Sequence, residues 1–302
     1  MTLKESAYAT LAYFDLFDYP LTIQEIGRFL LWGNASRDEL WAFLNNDPGI
    51  QRHGNHYFLK GRREIVDLRR DREQIADRYW KKARRFLPIL QIVPFVKMVA
   101  VCNTLAFNNP TKESDIDLFI VAKKGRLFLA RTFATILFGL MGIRRHGKKI
   151  AGRFCLSFYV TENALNLESI KQGPEDIYLP YWLLTLKPVY GHAVYDDLIS
   201  QNEWIKKYFP RAVEMESAWK GNAVLRGVGR FQERIFEKSL GDKLETWISA
   251  RQMKRHQRQL GSLGSTASVI VNDKMLKFHN IDRRSEFAER FQKRYEEIMA
   301  LI

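Results

Sequence analysis

The feature that most constrains the fold is a pair of aspartates inside an apolar run. Asp115 and Asp117 stand one residue apart, and the residues between and after them are β-formers, so residues 115–122 are predicted to form a strand. Side chains two positions apart on a strand lie on the same face, so the two carboxylates project together. Because neighbouring carboxylates repel unless cations lie between them, the pattern indicates a site that binds two divalent metals for phosphoryl-group chemistry.

A second predicted strand and a polar turn precede this pair. Residues 96–102 have the composition of a strand, and a spacer of ten residues separates the small polar turn Asn103-Thr104 from Asp115. The order of strand, turn, spacer and Asp-apolar-Asp-apolar strand resembles that of the nucleotidyltransferase superfamily, the fold shared by DNA polymerase β and the minimal nucleotidyltransferases. The resemblance directly covers about residues 96–160.

The turn departs from the family motif at both positions. The family has Gly followed by Gly or Ser, whereas this chain has Asn103 and Thr104. Threonine keeps a hydroxyl for a phosphate contact, and asparagine is among the few residues besides glycine that tolerate a positive φ. The resemblance implies that Asp115 and Asp117 are catalytic ligands of Mg²⁺ or Mn²⁺, and that Asn103, Thr104 and Ser114 bind the nucleotide.

The resemblance also implies an activity. It is the metal-dependent transfer of a nucleoside monophosphate from an NTP, such as ATP, to an acceptor hydroxyl on RNA, a small molecule or a protein. Two alternatives stay open. One is a degenerate nucleotidyltransferase fold that binds nucleotide or nucleic acid without turnover. The other is a protein-modifying or antitoxin-like nucleotidyltransferase that docks a partner protein.

The third carboxylate that the family commonly carries on its next strand is absent. The predicted strand at 153–161 offers Cys155 and Ser157 at the matching positions and contains no acid. Glu162, just past the strand, is the candidate substitute for this general base. Otherwise a residue from elsewhere fills the role, the site uses one metal, or it binds nucleotides without turnover.

The chain is strongly basic, with 48 Lys and Arg against 34 Asp and Glu and a net charge of +14. This excess favours an anionic partner, for which we expect RNA rather than DNA. One acid-free basic cluster is placed where it could face the cleft: Arg144, Arg145, Lys148, Lys149 and Arg153. A second acid-free cluster is the candidate nucleic-acid patch: Arg251, Lys254, Arg255 and Arg258.

The length of 302 residues predicts more than one structural unit. Residues 1–60 show three helical segments, with capping boxes at Thr22 and Ser36, and a hairpin across Gly54-Asn55. This order is typical of a winged helix, which either binds nucleic acid or docks a partner. The expected fold class is α/β (α+β) with a mixed sheet, in four parts: the winged helix (1–60), a linking helix (61–94), the nucleotidyltransferase core (95–175) and a helical C-terminal domain (176–302).

Two segments of the C-terminal part are predicted to be irregular. Residues 187–191 contain Pro and Gly and indicate a turn, and residues 261–265 indicate a linker between helices. The rest of this part follows helical spacing.

Cysteine content and hydropathy bear on the compartment. The two cysteines, Cys102 and Cys155, fall in predicted buried strands and form no disulfide framework, which favours a reducing cytoplasm. The N-terminus lacks a signal-peptide cleavage pattern. The most apolar window, 127–143, is short and contains Arg131, so it is predicted to be a core helix. We therefore expect a cytoplasmic protein with no membrane partner.

Overall fold

The computed structural model describes residues 1–210, 222–260, 268–279 and 282–301. These residues form helices around two sheets, which confirms the predicted α+β class. The helices are α1 (Leu3–Asp15), α2 (Ile23–Arg28), α3 (Arg37–Asn46), α4 (Ile65–Phe86), α5 (Asn103–Ala106), α6 (Leu127–Leu140), α7 (Tyr178–Thr185), α8 (His192–Ser200), α9 (Ala223–Phe236), α10 (Ser239–Leu260) and α11 (Arg284–Met299). The strands are β1 (Leu21–Thr22), β2 (Ile50–His53), β3 (His56–Leu59), β4 (Val96–Val101), β5 (Ile116–Ala122), β6 (Phe154–Thr161), β7 (Lys187–Tyr190), β8 (Ser268–Val271) and β9 (Met275–His279).

The larger sheet is mixed and has the strand order β7-β4-β5-β6-β9-β8. β5 runs antiparallel to β4 and parallel to β6, and α6 makes the crossover between β5 and β6. The three strands predicted for the core are therefore neighbours in the sheet, and the predicted mixed sheet is confirmed.

Alternation along β5 divides its side chains between two apolar layers. Phe119 and Val121 pack in a layer that includes side chains of α1, α7 and α11. Ile116, Leu118 and Ile120 pack in a second layer with side chains of α4 and α6. Because both faces of the strand are covered, its sequence is a nearly continuous apolar run, and the aspartates stand out at its start.

The three helices and the hairpin predicted for residues 1–60 are present. The capping boxes at Thr22 and Ser36 are both formed, and β1 adds a third strand to the hairpin β2–β3. This part packs directly on the helices beside the larger sheet. The ring of Tyr13 stacks on that of Tyr181, with centroids 4.0 Å apart and an interplanar angle of 15°.

Residues 176–302 contribute strands as well as helices. The predicted turn at 187–191 is wrong, because Lys187–Tyr190 forms β7, which pairs with β4 at the edge of the sheet. Pro188 indicated a turn, but an edge strand tolerates proline because one of its sides needs no ladder hydrogen bonds. At the other side of the sheet the hairpin β8–β9 pairs with β6. The predicted linker at 261–265 lies outside the described residues.

No helix in the described parts of the chain has the length and hydropathy to cross a membrane. The apolar window around Arg131 forms α6, whose buried side chains belong to the layer beneath β5. The prediction of a core helix at this position is confirmed.

Arg69 joins α4 to the N-terminal helices. Its guanidinium donates to both carboxylate oxygens of Glu25 at 2.8 and 2.9 Å and to Glu73 at 2.9 Å, and 8% of its side chain is exposed. The next residue, Arg70, is 67% exposed and pairs with Asp67 at 3.5 Å. The two arginines therefore offer a matched comparison of a buried and an exposed ion pair.

We expect Arg69→Met to lower the free energy of unfolding by about 3 kcal/mol, because it leaves the partly buried Glu25 carboxylate without its cation. Arg70→Met should change that free energy by less than about 0.5 kcal/mol, since exposed pairs contribute little. Urea unfolding followed by tryptophan fluorescence measures both values. Equal unfolding midpoints in the two variants would contradict the role given to Arg69.

Candidate active site

The two aspartates lie together at the start of β5. Asp115 directly precedes the strand and Asp117 is its second residue, paired in register with Cys155 of β6. One ligand atom from each of these three side chains lies within 4.8 Å of the other two. The predicted convergence of the two carboxylates is confirmed, and the thiol of Cys155 completes the group.

Asn103 holds Asp117 from the preceding turn. Its Nδ2 donates to Asp117 Oδ2 at 2.8 Å, and its Oδ1 accepts from Trp182 Nε1 at 2.9 Å. Its backbone has a φ of +56°, in the left-handed region that asparagine was expected to tolerate here. Asn103 therefore gives the Asp117 carboxylate a fixed hydrogen-bond donor.

Asp115 is paired with a cation from the loop before β6. Arg145 Nη1 donates to Asp115 Oδ2 at 2.6 Å, and 44% of the arginine side chain is exposed against 13% of the aspartate side chain. This member of the cluster 144–153 therefore reaches the site, as the sequence suggested. Because much of the arginine side chain is exposed, we expect this ion pair to add little to stability and Arg145 to be accessible to another anion.

Burial and repulsion set the protonation of the group. The pKa of Asp117 is raised to about 6, first by burial and then by the charge of Asp115, against hydrogen bonds from Asn103 and Cys155 and the charge of Arg145. Burial, and after it the two carboxylates, raise the pKa of the Cys155 thiol well above its usual range. Cys155 is therefore a neutral thiol near pH 7 and is not a general base.

Asp117 and Asn103 open onto a cavity of about 210 Å³. Some of its lining residues are aromatic and come from β6, α7 and α11: Phe158, Tyr178, Trp182 and Phe287. Others are charged and come from the C-terminal part of the chain: Lys277, Asp282, Arg283 and Arg284. Sequence analysis missed both sets, because they lie far from Asp117 along the chain and carry no motif of their own.

Buried ion pairs hold the charged side of the cavity. Arg284 binds Asp176 at 3.0 Å and Asp282 at 2.8 Å, and Lys277 binds Asp282 at 2.9 Å. Although burial acts against it, hydrogen bonds from Arg284 and Lys277 hold the pKa of Asp282 well below its usual range. The charges in this part of the lining therefore largely neutralise one another.

Two of the predicted nucleotide-binding residues do not line the cavity, namely Thr104 and Ser114. Ser114 Oγ accepts the Thr111 amide at 2.9 Å, and the Thr104 carbonyl accepts the Asn109 amide at 2.8 Å. Thr104 therefore shapes the chain just before the spacer, and Ser114 shapes the end of the spacer itself. Asn103 is the member of the predicted set that reaches the cavity.

Glu162, the predicted substitute for a third carboxylate, does not reach the site. Its amide donates to the Ala122 carbonyl at 2.9 Å, and its carboxylate accepts the Lys124 amide at 3.2 Å. Ala122 is the last residue of β5, five residues beyond Asp117, which is about 17 Å along an extended strand. Because β6 runs parallel to β5, a residue just after β6 lies beside the last residues of β5, whereas Asp117 lies at the start of β5.

The predicted nucleic-acid patch lies away from the cavity. Arg251, Lys254 and Arg255 belong to α10, which packs against α6 in the layer on the opposite face of the sheet from Trp182. Arg258 is also within α10, but its side chain lies outside the described part of the structure.

The donor set fits a hard divalent cation held by the two carboxylates. Mg²⁺ and Mn²⁺ prefer carboxylate oxygens and complete their coordination with water and phosphate oxygens. The neutral thiol of Cys155 is a poor ligand for either ion. A cation between Asp115 and Asp117 would relieve the repulsion that helps raise the pKa of Asp117.

Comparison of the chain with models of protein families, with curated proteins and with solved structures gave no match. The likeness to nucleotidyltransferases therefore rests on the motif and on the geometry of the site. The function of the chain has to be argued from its own residues.

We expect Asp117→Asn to stabilise the metal-free protein at high pH. The pKa of Asp117 is about 6 in the folded chain against 3.8 for an unperturbed aspartate, so the folded state binds the proton more tightly. The wild type therefore loses stability as pH rises from about 4 to 6, and the variant does not. Unfolding in EDTA should show the variant more stable by about 1 to 3 kcal/mol at pH 8, with most of this gain gone at pH 4.

Glu113→Gln removes an exposed carboxylate two residues before Asp115 and is the control for this measurement. Its stability should follow that of the wild type at both pH values. An Asp117→Asn variant that is less stable than the wild type at pH 8 would contradict the assigned repulsion.

Proposed function

We propose that the chain is a metal-dependent nucleotidyltransferase that moves a nucleoside monophosphate from an NTP to an acceptor hydroxyl. The observation that carries this proposal is the convergence of the Asp115 and Asp117 carboxylates beside a cavity with aromatic lining. Phosphoryl transfer is catalysed mainly by positioning and by neutralisation of charge, so a protein needs few reactive groups for it. Two convergent carboxylates meet the first requirement of such a site.

Each residue of the group has a role in this proposal. Asp115 and Asp117 would hold Mg²⁺ or Mn²⁺, which when bound neutralises charge that develops on the transferred group. Trp182 fixes Asn103 and Asn103 fixes Asp117, so the position of the ligand is set before a nucleotide arrives. Arg145 would leave the Asp115 carboxylate and bind a phosphate of the nucleotide.

The size of the cavity limits how a nucleotide lies. At about 210 Å³ it is smaller than the roughly 300–1,000 Å³ of pockets that enclose drug-sized ligands, so it takes the base rather than the whole NTP. Trp182 and Tyr178 line the cavity, so their rings provide an aromatic wall against which a base can pack. The phosphates then extend past Asp117 towards Asp115 and Arg145.

The free cysteines support a location for this activity. Cys102 and Cys155 are both buried and unbridged. Reduced cysteines are typical of proteins in a reducing compartment, so we place the proposed enzyme in the cytoplasm.

A second candidate function is nucleotide binding without turnover. Cys155 occupies the position paired with Asp117 on the strand where the family resemblance implies a third carboxylate, and Glu162 lies at the other end of that strand. These strands therefore offer no carboxylate beside Asp117 that could take the proton of an acceptor hydroxyl, which favours binding without transfer. The two candidates share one binding site and differ in whether the nucleoside monophosphate is transferred to an acceptor.

Incubation of the full chain with each α-labelled NTP and Mg²⁺ or Mn²⁺, with and without total RNA, tests the transfer. We expect the wild type to release pyrophosphate and label its acceptor, and Asp115→Asn and Asp117→Asn each to slow this by about 10²- to 10³-fold. Glu162→Gln removes a carboxylate from the far end of the same strands and should keep the wild-type rate. Label on RNA, on protein or on small molecules identifies the acceptor class.

Equilibrium dialysis with each NTP separates the two candidates. NTP binding that depends on the two aspartates, without transfer by the wild type, would establish the second candidate. Cys155→Asp, which places an acid beside Asp117, should then gain transfer. A wild-type rate in Asp117→Asn, together with unchanged NTP binding in the double aspartate variant, would overturn both candidates.

A further inference from the structure

A second cavity, of about 320 Å³, lies between α6, α10 and the loop that follows α6. Its polar lining combines three arginines with three neutral side chains: Arg131, Arg144, Arg255, Thr132, Thr135 and Gln252. None of the described residues that line it is acidic. Three positive charges therefore share one concave site without a carboxylate among them.

Arg131 is the innermost of the three. Its Nη1 donates to Gln252, its guanidinium lies 4.3 Å from the centre of the Phe278 ring, and its Nε is buried without a hydrogen-bond partner among the described residues. Burial lowers the pKa of this guanidinium, and the charges of Arg144 and Arg255 lower it further. This partly buried cation contacts a neutral amide and an aromatic ring, and no carboxylate pairs with it among the described residues, whereas charges away from water are normally paired.

The neutral side chains add donors suited to an oxyanion. Gln252 Nε2 donates to Thr132 Oγ1 at 3.2 Å, which leaves the hydroxyl hydrogen of Thr132 free to point elsewhere. Guanidinium groups bind phosphate oxygens through two parallel hydrogen bonds, and hydroxyls complete such sites. The chemistry of this cavity therefore matches a phosphate group.

A larger cavity of about 770 Å³ adjoins it along α10, and the two share the lining residues Thr132, Gln252 and Arg255. The added lining includes Arg251, Lys254 and Trp247. Trp247 is 60% exposed, and the Arg251 guanidinium lies 5.6 Å from the centre of its ring. Exposed aromatic faces among cations are typical of surfaces that bind single-stranded nucleic acid by base stacking and backbone contacts.

We propose that this double cavity is a binding site for single-stranded nucleic acid, with one backbone phosphate in the cavity of Arg131, Arg144 and Arg255 and an adjacent base on Trp247. The site lies on α6 and α10, on the opposite face of the sheet from the Asp117 cavity. It can therefore hold a strand whether or not the proposed transfer reaction occurs.

Fluorescence anisotropy of the full chain with a labelled 12-nucleotide oligouridylate, over a range of salt concentrations, tests the site. We expect Arg144→Gln/Arg255→Gln to bind at least 10-fold more weakly and to flatten the logarithmic salt dependence by about 0.7, because the contact with one phosphate of a single strand is lost. Trp247→Ala should weaken binding by about 5- to 100-fold with the salt slope unchanged, because stacking does not release counterions.

Arg84→Gln/Arg85→Gln removes the same charge from exposed residues of α4 and is the matched control. Because Trp247 is exposed, its replacement should leave the melting temperature unchanged, so this variant tests the site even where the arginine variant is less stable. Affinities for the arginine variant and Trp247→Ala that equal those of the control would overturn the proposal. Competition by inorganic phosphate at equal strength would place recognition in the phosphate alone and would likewise overturn the proposal. Competition by oligodeoxyuridylate at equal strength would support it and show that the 2′-hydroxyl is not recognised.

Discussion

The site depends on two like charges being held side by side at the start of β5. Strand geometry places Asp115 and Asp117 together, and neither can move apart easily because β5 is paired on both sides, with β4 and β6. Hydrogen bonds from Asn103 and Arg145 offset part of the repulsion. Burial first, and the remaining repulsion second, keep the pKa of Asp117 near 6, and a divalent cation would remove that repulsion. The fold therefore holds two carboxylates whose repulsion favours binding of the metal that the proposed chemistry needs.

Local patterns predicted much of this arrangement from the sequence. The strand assignments rest on apolar runs and alternation, and β4, β5 and β6 begin within a residue of their predicted starts. The capping boxes at Thr22 and Ser36 and the left-handed Asn103 depend on a few consecutive residues, so the sequence contains all the information they need. The convergence of Asp115 and Asp117 follows from the same short-range geometry.

Predictions that depend on long-range topology were wrong, and site residues brought in by that topology were missed. Glu162 is close to the predicted third strand in sequence, but the parallel pairing of β5 and β6 carries it to the far end. Pro188 indicated a turn because the sequence does not reveal which strand lies at the edge. Trp182 and Arg284 reach the cavity only through tertiary packing, and nothing near them in the sequence marks them as site residues. Two adjacent residues also serve different sites: Arg145 pairs with Asp115, and Arg144 lines the second cavity. Their positions in the sequence do not show this difference.

The repulsion between Asp115 and Asp117 is measured most directly by titrating Asp117 with and without Mg²⁺. The NMR chemical shift of its carboxyl carbon reports the titration. In EDTA we expect an apparent pKa of about 6 for Asp117, lowered in Asp115→Asn because the neighbouring charge is gone. Saturating Mg²⁺ should move the wild-type pKa well below 6, since the cation favours the ionised carboxylate. An Asp117 that titrates like an exposed aspartate, or whose pKa does not respond to Mg²⁺, would contradict a metal-binding carboxylate pair.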